Sequence, residues 1–90
     1  MVQWQLIVKG RVQGVGFRYF TQMKAVQYGI NGWVRNREDA SVEILASGKE
    51  EELNQFIADI KKGNPFSKVD HVDIQEAAGS ECCHSFKIKY

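Results

Sequence analysis

Ser47-Gly48-Lys49-Glu50-Glu51-Glu52-Leu53-Asn54-Gln55-Phe56-Ile57-Ala58-Asp59-Ile60-Lys61-Lys62-Gly63-Asn64-Pro65 carries the clearest periodic signal in the chain. Leu53, Phe56, Ile57 and Ile60 recur at i, i+3, i+4 and i+7, the spacing of one helix face. Ser47 and Glu50 have the spacing of a capping box at its start. Lys61 and Lys62 suit the negative end of its dipole, Gly63 can close it, and Pro65 prevents its continuation.

On either side of this helix the period changes to two. Upstream, Gly32 to Arg37 and Ser41 to Ala46 read as short strands joined by a tight turn around Glu38-Asp39, with Val42, Ile44 and Ala46 on the core face of the second. Downstream, Val69 to Gln75 alternates through Val72 and Ile74, Ala77 to Ser85 reads as a loop, and Phe86, Ile88 and Tyr90 close the chain as a strand. At the start, Val2, Trp4, Leu6 and Val8 alternate as a first strand. Phe20, Met23 and Val26 then recur at helical spacing until Gly29, a suitable left-handed cap. The order is β-α-β-β-α-β with a short terminal strand. This is the α+β, ferredoxin-like βαββαβ sandwich: an antiparallel sheet of four to five strands with both helices on one face. Many unrelated activities use that frame, so function has to come from a site.

Ninety residues, 43% of them apolar, suit one globular domain over 1–90 and leave no room for a second. Twelve Lys and Arg against eleven Asp and Glu give a formal charge of +1, so no global field points to nucleic acid or an anionic membrane. The Met1-Val2-Gln3-Trp4-Gln5 start lacks a basic-then-apolar leader pattern, and no apolar run reaches the ~18–20 residues of a membrane span. The only cysteines, Cys82 and Cys83, are adjacent and cannot staple distant segments, which fits a reducing compartment. A cytoplasmic monomer is the expectation.

Between the first strand and first helix lies Gly10-Arg11-Val12-Gln13-Gly14-Val15-Gly16-Phe17-Arg18. Glycines let successive N–H groups turn toward one point, and the loop runs into a helix N-terminus, where unpaired N–H groups favour an anion. Arg18 falls in the first helical turn, an unfavourable place for a cation unless an anion sits beside it; its guanidinium could hold two phosphate oxygens in a fork. The plainer reading is a glycine-rich connection with a solvent-facing arginine. A dinucleotide fingerprint fails because Tyr19 stands where the third glycine belongs, and a Walker loop fails because no Gly-Lys-Ser/Thr follows.

The stretch Val8-Lys9-Gly10-Arg11-Val12-Gln13-Gly14-Val15-Gly16-Phe17-Arg18 resembles the first signature of the acylphosphatase family. Gly32-Trp33-Val34-Arg35-Asn36, followed by Val42 and Gly48, resembles its second, and Phe86 to Tyr90 is similar to its terminal strand. The resemblance spans the chain. It implies a βαββαβ sandwich, a substrate phosphate bound by the loop Gln13, Gly14, Val15, Gly16, Phe17 and Arg18, and essential residues matching Arg18 and Asn36. Two positions depart from the pattern: Arg37 replaces the small hydroxyl residue that usually follows the Asn, and Ala40 replaces a hairpin Gly. Because Ala resists positive φ, the turn is expected to differ or to place Asp39 in the left-handed conformation.

An acyl phosphate needs little catalytic apparatus. Its leaving carboxylate has a pKa near ~4, so no general acid is required. What remains is to neutralise phosphoryl charge, which Arg18 and the loop N–H groups can do, and to place a water in line, which the Asn36 amide oxygen can do. The base could be a phosphate oxygen of the substrate itself. No cofactor and no metal are expected: Cys82-Cys83-His84 cannot converge on one ion and has no distant Cys-x-x-Cys partner. His71 reads as a solvated side chain on an outer face, and Trp4 and Trp33 as core or sheet-face residues.

Two rivals remain. Gly14-Val15-Gly16-Phe17-Arg18-Tyr19-Phe20 superficially matches an RNA-recognition run, yet it follows the first strand, and the third strand (Ser41 to Ala46) carries no aromatic. The other is a phosphate- or carbamoyl-phosphate-binding domain without turnover, which only a turnover measurement separates from an enzyme.

Overall fold

The computed structural model describes residues 1–77 and 84–90. Its elements are β1 (Val2–Arg11), α1 (Phe17–Tyr28), β2 (Asn31–Asn36), β3 (Val42–Gly48), α2 (Glu50–Lys62), β4 (Lys68–Glu76) and β5 (Phe86–Lys89). They form one five-stranded sheet in the order β4-β1-β3-β2-β5. Four strands pair antiparallel, as expected, and β5 joins the edge of β2 in parallel, which makes the sheet mixed.

Period-2 alternation decides which face is covered. Leu6 lies opposite Ile44 and Val8 opposite Val42, while Val34 pairs with Ile44 from the other side; all five are fully buried. Leu53, Phe56, Ile57 and Ile60 of α2 pack onto this face together with Phe17, Ala25 and Ile30. The opposite face carries Trp33 between two cations, with Lys89 Nζ 4.5 Å and the Arg35 guanidinium 5.7 Å from its ring centre. Arg35 also reaches Glu43 at 2.7 Å, which accounts for a nearly buried carboxylate on an otherwise open surface.

Three local expectations are corrected. Ser47 does not cap α2: Ser47 and Gly48 remain in β3, and Lys49 is the N-cap without a side-chain hydrogen bond. Glu50, Glu51 and Glu52 in the first turn supply the favourable charge instead. The α1 stripe of Phe20, Met23 and Val26 is not the core face, since Met23 and Val26 are 47% and 70% exposed. Phe17, Thr21 and Ala25 are buried in their place. Small Thr21 and Ala25 let α1 approach the sheet, and the Thr21 hydroxyl is satisfied by the Phe17 carbonyl at 2.9 Å. Finally, Ala40 itself takes the left-handed conformation, with φ 72°, so Asp39 does not absorb the turn.

Other predicted features hold. Gly29 caps α1 in the left-handed region, and the Gly63 N–H closes α2 on Asp59 and Ile60. His71 is exposed and bonds Asp73 at 2.7 Å. Cys82 and Cys83 lie outside the described residues. Among those described, no helix is long and apolar enough to cross a membrane.

Candidate active site

Antiparallel β1 and β3 set the end of β1 beside the start of β3, and β3 in turn holds the end of β2, with Asn36 opposite Val42. The β1–α1 loop and the β2–β3 turn therefore meet at one edge of the sandwich. Between them lies a cavity of about 170 Å³ lined by Val12, Gly14, Gly16, Phe17, Arg18, Tyr19, Asn36, Ile88 and Tyr90.

The loop conformation follows from its glycines. Gly14 and Gly16 have φ 73° and 75°, so left-handed residues flank Val15. No backbone or side-chain acceptor among the described residues pairs with the N–H groups of Gly14 to Arg18; the first loop-closing bond runs from the Phe20 N–H to the Gly16 carbonyl at 3.0 Å. These are the orphan donors of a helix start, and no acidic side chain occupies the first turn of α1.

Arg18 leaves that turn with one guanidinium nitrogen 3.3 Å from the Lys89 carbonyl and its carbon 4.7 Å from the Tyr90 ring centre. One edge of the guanidinium is thus braced by the chain at the end of β5. Its five N–H donors exceed what that bond uses. Asn36 closes the other side of the cavity. Its side-chain oxygen is buried and has no hydrogen-bond partner among the described residues, an unsatisfied acceptor of the kind that calls for a functional explanation.

Of the sequence-selected residues, Gly14, Gly16, Phe17, Arg18 and Asn36 line the cavity. Gln13 and Val15 do not. The Gln13 amide instead donates to the Arg37 and Ser41 carbonyls, both at 2.8 Å, and ties the loop to the turn after Asn36. The Val15 carbonyl accepts a 2.7 Å bond from the Asn64 side chain. Sequence reasoning did not single out Asn64; its only signal was its place before Pro65, which read as a helix stop. Ile88, Tyr19 and Tyr90 were likewise not foreseen at the cavity. Among the described residues no group of three or more His, Cys, Asp or Glu converges.

Comparison with known proteins agrees with this arrangement. Residues 4–88 match the acylphosphatase family. The chain is 53% identical to the acylphosphatase of Bacillus licheniformis over 90 residues, covering all of both chains. It superposes on the crystal structure of acylphosphatase from Bacillus subtilis with a TM-score of 0.95 and 51% identity, again over the whole of both chains. An acylphosphatase structure from Coxiella burnetii gives a TM-score of 0.91 at 27% identity, over 98% of this chain and 92% of that one. With two signatures meeting at one cavity and full-length similarity at about half identity, the chain belongs to the acylphosphatase family.

Proposed function

We propose that this protein hydrolyses the carboxyl-phosphate bond of acyl phosphates to a carboxylate and inorganic phosphate. The phosphoryl group occupies the cavity, its oxygens receiving the N–H groups of Gly14 to Arg18 and the free donors of Arg18. Asn36 positions the attacking water through its side-chain amide. The water attacks phosphorus in line, the P–O bond to the acyl oxygen breaks, and the carboxylate leaves with the bond electrons. The water's proton passes to a phosphoryl oxygen. The leaving group needs no protonation, because its conjugate acid has a pKa near ~4. The observation that carries this reading is one cavity lined by Gly14, Gly16, Arg18 and Asn36, where the N–H groups of the helix start have no partner among the described residues.

Near-neutral charge and the adjacent cysteine pair support a monomeric cytoplasmic enzyme acting on small molecules rather than nucleic acid. Sedimentation at micromolar concentration checks the monomer. Turnover is tested by loss of ultraviolet absorbance from an aromatic acyl phosphate with EDTA present. Wild type is expected to turn over, and Arg18→Ala and Asn36→Ala, checked for folding, are each expected to lose at least about 10²-fold in kcat/KM. A folded wild type without turnover overturns the enzyme reading and leaves the binding-domain alternative, which phosphate titration of the same sample then measures.

A further inference from the structure

The cavity lining does not include Asn64, yet Asn64 touches the loop at its most consequential peptide. Its side-chain nitrogen donates to the Val15 carbonyl at 2.7 Å, across 49 positions of sequence. The next peptide nitrogen belongs to Gly16. In a planar trans peptide the carbonyl and the following N–H point in opposite directions. Fixing the Val15 oxygen toward Asn64 therefore turns the Gly16 N–H away from Asn64, and Gly16 lines the cavity.

The backbone under Asn64 is held in a hydrogen-bonded turn. Its N–H donates to the Ser67 hydroxyl at 2.9 Å, and its carbonyl receives the Ser67 N–H at 3.1 Å, closing a turn with Pro65 at its second position. Gly63 before it has φ 72°, and a Cβ there would collide with the Ser67 hydroxyl oxygen. The Asn64 side-chain oxygen, in contrast, is buried without a partner among the described residues. Stability alone does not favour an amide with one unsatisfied buried atom.

We infer that Asn64 is a positioning residue for phosphoryl binding: through the Val15 carbonyl it locks the Val15–Gly16 peptide so that the Gly16 N–H faces the phosphoryl group. The inference rests on the reading of this loop as the phosphoryl cradle. Without the lock, the Val15–Gly16 peptide, next to a left-handed glycine, is free to flip, which turns the Val15 oxygen toward the anion and replaces attraction by repulsion.

The test uses inorganic phosphate and a readout independent of turnover. Amide spectra of the ¹⁵N-labelled chain are recorded through a phosphate titration for wild type, Asn64→Leu, Asn64→Ala and Tyr28→Phe. The last removes a distant helix–helix bond and controls for lost stability. In wild type the Gly16 amide proton moves downfield on saturation. In Asn64→Leu that shift is lost and phosphate affinity falls about tenfold or more, as expected for one misdirected hydrogen bond to a charged group. Tyr28→Phe lowers thermal stability with affinity unchanged, and phosphate inhibition of turnover weakens in parallel with the Asn64→Leu affinity. Asn64→Ala, smaller and without a side-chain donor, repeats the measurement if Asn64→Leu does not fold. A Gly16 amide that ignores phosphate in wild type, or responds equally in a folded Asn64 variant, overturns the proposal. Phosphate binding with the Gly16 response but no hydrolysis overturns only the enzymatic reading.

Discussion

The Gln13 side-chain amide donates to the Ser41 carbonyl at 2.8 Å, joining the loop before α1 to the start of β3 across 28 positions. With its second bond to Arg37 it spans the β2–β3 turn that follows Asn36. Gln13 thus fixes how far Asn36 stands from the loop N–H groups. Gln13→Leu is expected to cost only about 0.5–1.5 kcal/mol, since each carbonyl keeps a backbone donor, the Ala40 N–H on Arg37 and the Arg37 N–H on Ser41. It should also lower kcat/KM about tenfold, equivalent to ~1.4 kcal/mol in the barrier. Urea unfolding and steady-state kinetics, run well below the midpoint, separate the two effects.

Ala40 supplies a second case. Its φ of 72° places a Cβ in the left-handed region, where an L-residue is strained by about 1–2 kcal/mol. Ala40→Gly relieves this, partly offset by the greater backbone freedom of glycine when unfolded. A net gain of about 0.5–1 kcal/mol is expected, read as a higher urea midpoint with an unchanged slope.

Two glycines should respond differently to alanine. A Cβ on Gly32 would collide with the Leu45 carbonyl oxygen inside the β2–β3 ladder, so Gly32→Ala is expected to cost more than about 3 kcal/mol or to prevent folding. Gly14 has φ 73°, and a methyl group there would meet open space, with nothing within 4 Å. Gly14→Ala should therefore cost only the conformational penalty of about 1–2 kcal/mol. Thermal melts of both variants decide it.

The two helices are linked by the Tyr28 hydroxyl, which donates to Asp59 at 2.6 Å, with Lys24 3.3 Å from the same carboxylate oxygen. The Tyr28 bond, and after it Lys24, hold the Asp59 carboxyl below its ordinary value of 3.8 against the opposing effect of burial. A depressed carboxylate contributes stability that is present above its unfolded pKa and lost as pH falls through the folded value. The same bond raises the Tyr28 phenol above its ordinary value of 10.0, so its contribution is present below that pH and lost as pH rises through the raised value. Tyr28→Phe is expected to be less stable than wild type at pH 7, read as a lower urea midpoint. The gap should narrow toward pH 3, measured by urea midpoints at both pH values.

The sheet and α2 were legible because their burial is written in apolar residues. Val42, Ile44 and Ala46 alternate, and Leu53, Phe56, Ile57 and Ile60 keep helical spacing; all are buried. The face of α1 was hidden because small or polar residues, Thr21 and Ala25, fill it, while Met23 and Val26 face outward. The parallel pairing of β5 also escaped, since alternation tells which face a strand covers and not which edge it joins. In the candidate site, the glycine spacing and the two signatures located the loop, Arg18 and Asn36. The braces behind them did not show: Gln13 and Asn64 act through hydrogen bonds to backbone carbonyls of distant segments, and such bonds leave no periodic trace.

Those braces have a kinetic consequence. The contacts that shape the cavity close chain loops of 24, 28, 49 and 71 residues, from Gln13 to the β2–β3 turn, from Asn64 to Val15 and from Arg18 to Lys89. Contacts of such separation form only after the entropy of closing long loops has been overcome, and they slow the search for the native topology. No fragment that has folded locally, neither helix with its neighbouring strand, holds the complete cavity. During refolding, helical signal therefore returns before catalytic competence, and recovered activity counts only molecules in which both edges of the sheet have docked.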